Sequence, residues 1–126
     1  MSDYFPNLHK YKYINLTTFR KTGVAVTTPV WFAQEDERLV MTTDSSAGKL
    51  KRIRNNPRVE IAPSDMRGKP LGDAKAVQAQ ARILQGEEAS TAEKLLKKKY
   101  GLQYSMFGLA GRNSVRVFIE IAPLKY

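Results

Sequence analysis

The sequence predicts a mainly β fold, an antiparallel barrel of about six strands with helices packed outside. Three observations lead there. Strand-like runs follow one another through turns, as hairpins rather than as strand–helix–strand units. The run from Ala74 to Leu84 alternates strictly between polar and apolar residues, which marks a sheet with one wet face. Only two segments carry apolar residues at helical spacing.

Taken in order, Tyr13 to Phe19 is a strand, rich in β-branched and aromatic residues. Arg20-Lys21-Thr22-Gly23 is a hairpin turn, with Gly23 free to take positive φ. Val24 to Ala33 is a second strand holding Val30, Trp31 and Phe32. Pro29 interrupts it; proline donates no ladder hydrogen bond, so this position must be an edge, a bulge or a bend. Gln34 to Arg38 turns the chain into a third strand, Leu39 to Thr43. Asp44-Ser45-Ser46 can cap a helix from about Ala47 to Asn55, with Leu50 and Ile53 on its buried side. Pro57 ends it, and Arg58 to Pro63 is the fourth strand.

A polar loop, Ser64 to Asp73, leads into the alternating strand. There Gln78, Gln80 and Arg82 face one way, and Val77, Ala79, Ala81 and Ile83 the other. A second helix runs from roughly Glu87 to Lys99, its acids at the positive end of the dipole and its lysines at the negative end. Gly101 stops it. Gln103 to Asn113 is irregular, and Val115 to Ile121 is the last strand before Pro123.

A chain of 126 residues is one domain's worth and can bury a core without a staple. The absence of cysteine excludes thiol catalysis, cysteine metal sites and disulfides, and fits a cytoplasmic protein. Met1 to Lys10 shows no signal-peptide pattern, and no apolar run approaches the ~20 residues that span a bilayer. No repeat or linker divides the chain. The net charge of +9 favours anionic partners. Lys49, Lys51, Arg52, Arg54, Arg58, Arg67 and Lys69 lie between Ser45 and Pro70, opposed only by Glu60 and Asp65. A second cluster, Lys94, Lys97, Lys98 and Lys99, is equally well read as a solvated helix face.

Chemistry concentrates in two places. From Leu39 to Lys49 a strand runs into a Ser/Thr/Gly turn that opens a basic helix. Free N–H groups and the positive dipole end meet there and suit a phosphate, with Lys49 as a mobile charge. Ordinary capping beside surface lysines explains the same residues. It is not a Walker A loop, which needs Gly at Thr43 and Ser or Thr at Leu50. The second place is Thr27-Thr28-Pro29-Val30-Trp31, where a proline-interrupted strand leaves backbone groups to grip the edge of a flat ring. A plain edge strand, with Trp31 in the core or at a dimer contact, is the competing reading.

Other residues carry less. His9 is the only histidine, so no multi-histidine metal site exists. Glu35, Asp36 and Glu37 read as a solvated turn, and Asp65 and Asp73 as turn residues. Tyr104, Met106 and Phe107 either cover a ring, line a dimer seam or pack in the core.

The runs "YINLTTFRKTGVAVTTPVWFA" and "LVMTTDSSAGKLKRIRNNPRVEIAPSDMRGKPLG", followed by a long strand and a helix, resemble the pyridoxamine 5′-phosphate oxidase-like superfamily, and within it the coenzyme F420-dependent branch. The resemblance covers about Tyr11 to Pro123. It rests on "TTPVWF", "T-D-S-x-x-G-K" and "R-N-N-P-R-V" in this order and spacing.

It implies a six-stranded FMN-binding-type split barrel. It also implies a homodimer with cofactor sites at the subunit interface. The stretch matching Thr27, Thr28, Pro29, Val30 and Trp31 would lie along the isoalloxazine or deazaflavin ring, with N–H groups near Thr28 and Val30 polarising its edge. The stretch matching Thr42, Thr43, Ser45, Ser46 and Lys49 would hold the ribityl phosphate, and Lys51 and Arg52 would continue the anionic path. Two departures stand out. No Arg-x-His substrate motif precedes the C-terminus, which argues against vitamin B6 oxidation. Ala47 occupies the place of a phosphate-binding serine, so Ser45 or Ser46 must substitute.

The expected activity is hydride transfer between bound F420 or FMN and a small organic acceptor. The ring supplies the redox chemistry, which fits the lack of an acid–base constellation. A non-catalytic cofactor carrier on the same fold is the alternative. Nucleic-acid binding would rest on charge alone, without an aromatic stacking pattern beside the basic run. Haem binding would rest on His9 alone.

Overall fold

The computed structural model describes residue 8 and residues 10–71, 76–104 and 116–124. Six strands, β1 (Tyr13–Phe19), β2 (Ala25–Glu35), β3 (Arg38–Asp44), β4 (Arg58–Ser64), β5 (Val77–Leu84) and β6 (Arg116–Pro123), close into a barrel in the order β1-β2-β3-β6-β5-β4. Every neighbouring pair is antiparallel. Helix α1 (Gly48–Asn55) connects β3 to β4, and α2 (Gly86–Tyr100) connects β5 to β6. Among the described residues no helix is long and apolar enough to cross a membrane. His9, Asp73, Ala74, Met106, Phe107 and Val115 lie outside the described residues.

The barrel interior follows from period-two patterning. Ile14 and Leu16 of β1, Phe32 of β2, Met41 of β3, Ile61 of β4 and Ile119 of β6 are all buried and form one cluster. Leu50 and Ile53 belong to that cluster, so α1 closes the barrel end at which β3 finishes and β4 begins. On β5 the alternation is as expected: Ala79 and Ala81 are buried, and Gln78, Gln80 and Arg82 are exposed.

A second apolar layer lies outside the barrel. Ala92, Leu96 and Tyr100 of α2 pack on Ala33, Val40, Leu84 and Phe118. The Tyr100 hydroxyl accepts from the Phe32 N–H (2.9 Å), and the Phe32 (2.8 Å) and Lys12 (2.7 Å) carbonyls lie within reach of its proton. Trp31 stacks on the Tyr100 ring, centroids 4.2 Å apart and planes within 3°. Buried-polar satisfaction and ring contact thus anchor the C-terminal end of α2.

Several boundaries differ from the sequence expectation. Strand β2 runs on to Glu35, because the connection to β3 tightens to Asp36 and Glu37. Asp36 takes φ 54°, the left-handed value that a two-residue hairpin loop requires and that Asp tolerates. The expected Asp44-Ser45-Ser46 cap does not form. Asp44 Oδ1 instead accepts from the Ser46 N–H (2.9 Å) and hydroxyl (2.8 Å), and Ala47 becomes the N-cap without a side-chain bond. A local turn has captured the side chains that the helix end would have used.

Candidate functional site

The β2–β3 ladder stops at Phe32↔Met41. Beyond that rung the two strands find other partners. Strand β2 stays paired with β1 back to Ala25, and β3 stays paired with β6 on to Asp44. The barrel therefore splits between Ala25–Trp31 and Thr42–Asp44, at the end where α1 begins. The two sequence segments singled out for chemistry form the two sides of this one split.

The alternation of β2 decides which backbone groups face it. Arg20 N–H donates to the Val24 carbonyl at 2.9 Å, so the even-numbered residues of this hairpin bond β1. The odd-numbered ones point the other way. Pro29, opposite Asn15, therefore turns its donorless nitrogen toward the split, where no ladder bond is lost. The N–H groups on that side are those of Ala25, Thr27 and Trp31. Those of Thr28 and Val30, expected to face a ring, are directed at β1. The Thr27 side chain is fixed by a 2.7 Å hydroxyl contact with Thr17.

Polar residues occupy interior-facing positions at this end of an otherwise apolar barrel. Thr18 and Thr43 are both buried. The Thr18 hydroxyl accepts from Arg52 Nε at 2.6 Å. A Cβ added to Gly48 would lie 2.9 Å from Arg52 Nη1, so the guanidinium rests against the first turn of α1, and the bare glycine leaves room for it. Lys49 is the next residue. Burial, and then the charges of Arg52 and Arg116, hold its ammonium below the usual lysine range. Arg116 stands opposite Asp44 in the β3–β6 ladder. Three cations and an N-terminus without a side-chain cap thus share one corner, a strongly electropositive arrangement.

Some expected residues sit elsewhere. Trp31 turns outward beneath α2, stacked on Tyr100. Lys51 is exposed and, at ~100° per residue, lies about 200° around α1 from Lys49, whereas Arg52 lies about 60° from it. The Thr42 hydroxyl is engaged by the Val117 carbonyl at 3.1 Å. Ser45 is exposed, and Ser46 is held by Asp44.

Two residues were missed. Thr18 was legible as a polar residue in the interior phase of β1, after Ile14 and Leu16. Arg116 carried no local signal, because only strand pairing brings it to α1.

A cavity of about 530 Å³ lies at the other end of the barrel, lined by Glu35, Asp36, Glu37, Arg38, Glu120, Ala122 and Pro123. Arg38 bridges Glu35 and Glu120 there, both at 2.9 Å, so the one cation is engaged and the remaining charge is acidic. It suits an anionic ligand poorly.

Solved structures share this fold. An F420-H2-dependent reductase, FDR-A, is 23% identical with a TM-score of 0.60, the match covering 86% of this chain and 93% of that one. An FAD-binding protein from Mesorhizobium loti is 15% identical with a TM-score of 0.69, over 94% and 83% of the two chains. HutZ, a haem-storage protein from Vibrio cholerae, is 18% identical with a TM-score of 0.71, over 93% and 84%. No curated protein matches. The model of the family described as pyridoxamine 5′-phosphate oxidase matches residues 5–126, nearly the whole split barrel, and the chain belongs to that family.

Proposed function

We propose that this protein is an oxidoreductase that moves a hydride between bound F420 or FMN and a small organic acceptor, and that it works as a homodimer with its cofactors at the subunit interface. The observation that carries the reading is the split between β2 and β3, with the Ala25–Val30 stretch outside the β2–β3 ladder on one side and the Lys49–Arg52–Arg116 corner at its end. A planar ring with an anionic tail matches both parts. Membership of the pyridoxamine 5′-phosphate oxidase family and likeness to an F420-H2-dependent reductase support it.

The residues present fit such a group. Lys49 and Arg52 would hold the phosphate or phosphodiester, with the free N–H groups at the start of α1. Thr27 N–H would meet the polar edge of the ring, and Pro29 would lie flat beside it. When bound, the cofactor supplies the two-electron chemistry. The protein's part is placement, neutralisation of the tail and exclusion of water. A second protomer would cover the split.

Likeness to a haem-storage protein favours a second reading, that of a carrier without catalysis. The two separate on one experiment. The bound cofactor is reduced, menadione is added, and the return of the oxidised absorbance band is followed. An enzyme speeds reoxidation well above the rate of the free cofactor. Reoxidation at or below the free rate would favour the carrier.

A further inference from the structure

We propose that Thr18 is a positioning residue: with the bare Gly48 it holds Arg52 in one pose before any ligand arrives, so that the guanidinium meets an anionic tail end-on, through Nη1 and Nη2. The proposal rests on the cofactor reading and deepens it.

The pose begins with spacing. Side chains on a helix lean toward its N-terminus, and residues four apart share a face. Arg52 therefore lies along the lane that Gly48 occupies one turn earlier. Glycine leaves that lane empty. A Cβ there would stand 2.9 Å from Arg52 Nη1 and 3.8 Å from Cζ. The guanidinium can so lie back against the first turn of α1.

Strand β1 fixes the other side of the group. Thr18 continues the interior phase of Ile14 and Leu16 and is 1% exposed. Its hydroxyl accepts from Arg52 Nε at 2.6 Å. Thr18 pairs with Val26 of β2. The bond thus runs from the helix that follows β3 to the strand behind the β2 side of the split. Arginine grips an oxyanion as a fork, side-on through Nε and one Nη or end-on through both Nη. Thr18 occupies Nε, so the side-on edge is taken and the end-on edge remains. Among the described residues no carboxylate pairs with Arg52, and its charge is left for a ligand. A side chain held at both edges has already lost its rotamer freedom, so binding need not order it.

Three substitutions separate placement from folding. Thr18→Val keeps the shape and removes the acceptor, and Thr18→Ser restores it. Gly48→Ala keeps every backbone N–H and favours the helix, but puts a methyl group where Nη1 lies. The full chain is titrated with FMN and with F420 by fluorescence. Thr18→Val and Gly48→Ala should each weaken binding by about three- to tenfold, while Thr18→Ser stays close to the parent. Gly48→Ala should lose affinity without losing stability. In an Arg52→Ala background neither Thr18→Val nor Gly48→Ala should weaken binding further. In the ligand-free protein the Arg52 Nε–H NMR signal, identified by its loss in Arg52→Ala, should exchange with water more slowly than that of exposed Arg54. Thr18→Val should abolish this difference. Equal affinity of Thr18→Val and parent, losses that persist without Arg52, or an Arg52 Nε–H that exchanges as fast as that of Arg54 would overturn the proposal and leave the cofactor reading standing. A parent protein that binds neither coenzyme would remove the cofactor reading itself, and the proposal with it.

Discussion

Replacing Lys49 and Arg52 together by alanine is expected to reduce cofactor affinity by a factor of one hundred or more, while leaving the fold intact. Each side chain would make a charge-assisted hydrogen bond to the anionic tail, and such bonds contribute about 1.5–3 kcal/mol. Lys49→Ala alone should therefore weaken binding by roughly ten- to one-hundred-and-fifty-fold. The two effects should not add. Lys49 and Arg52 share one corner and would meet the same anionic tail, so the loss of one changes what the other contributes. Fluorescence titration of the double variant and both single variants gives the coupling directly. A double variant that binds as tightly as the parent would remove the phosphate role assigned to this corner.

The second large effect is expected at Ile53. Its side chain is 3% exposed and sits among the residues that fill the barrel. Ile53→Ala removes that filling from the helix that closes the barrel end, at a cost of about 2–5 kcal/mol. The loss should carry over to binding, because Lys49 and Arg52 ride on the same two turns of helix. Lys51→Ala, on the solvated side of α1, is the control for stability. Denaturant unfolding with unchanged m-value measures the first effect. An Ile53→Ala protein as stable as the parent would mean that α1 does not plug the barrel.

What the sequence could show was local. Strand β1 was readable from Tyr13 to Phe19 without error, because its β-branched run ends cleanly at a glycine turn. Leu50 and Ile53 were readable as the buried side of α1 from their spacing. Pro29 announced an unpaired edge, and the ladder leaves that edge open. The split itself was not readable. It depends on where two ladders part, which is a matter of long-range register rather than of any residue's preference. Arg116 was invisible for the same reason. The helix cap failed for a different one: Asp44 and Ser46 satisfy each other before either reaches the helix. For Trp31 the sequence leaves a ring contact, a core position and a dimer contact open, and the structure adds its stack on Tyr100 of α2.

Absorbance and fluorescence titration of the purified protein with F420 and with FMN tests the central claim most directly. The account predicts saturable binding of at least one of them, one equivalent per chain, with perturbed ring spectra and a marked loss of affinity as salt rises. If neither coenzyme perturbs its spectrum at any accessible protein concentration, the split between β2 and β3 is not a cofactor site.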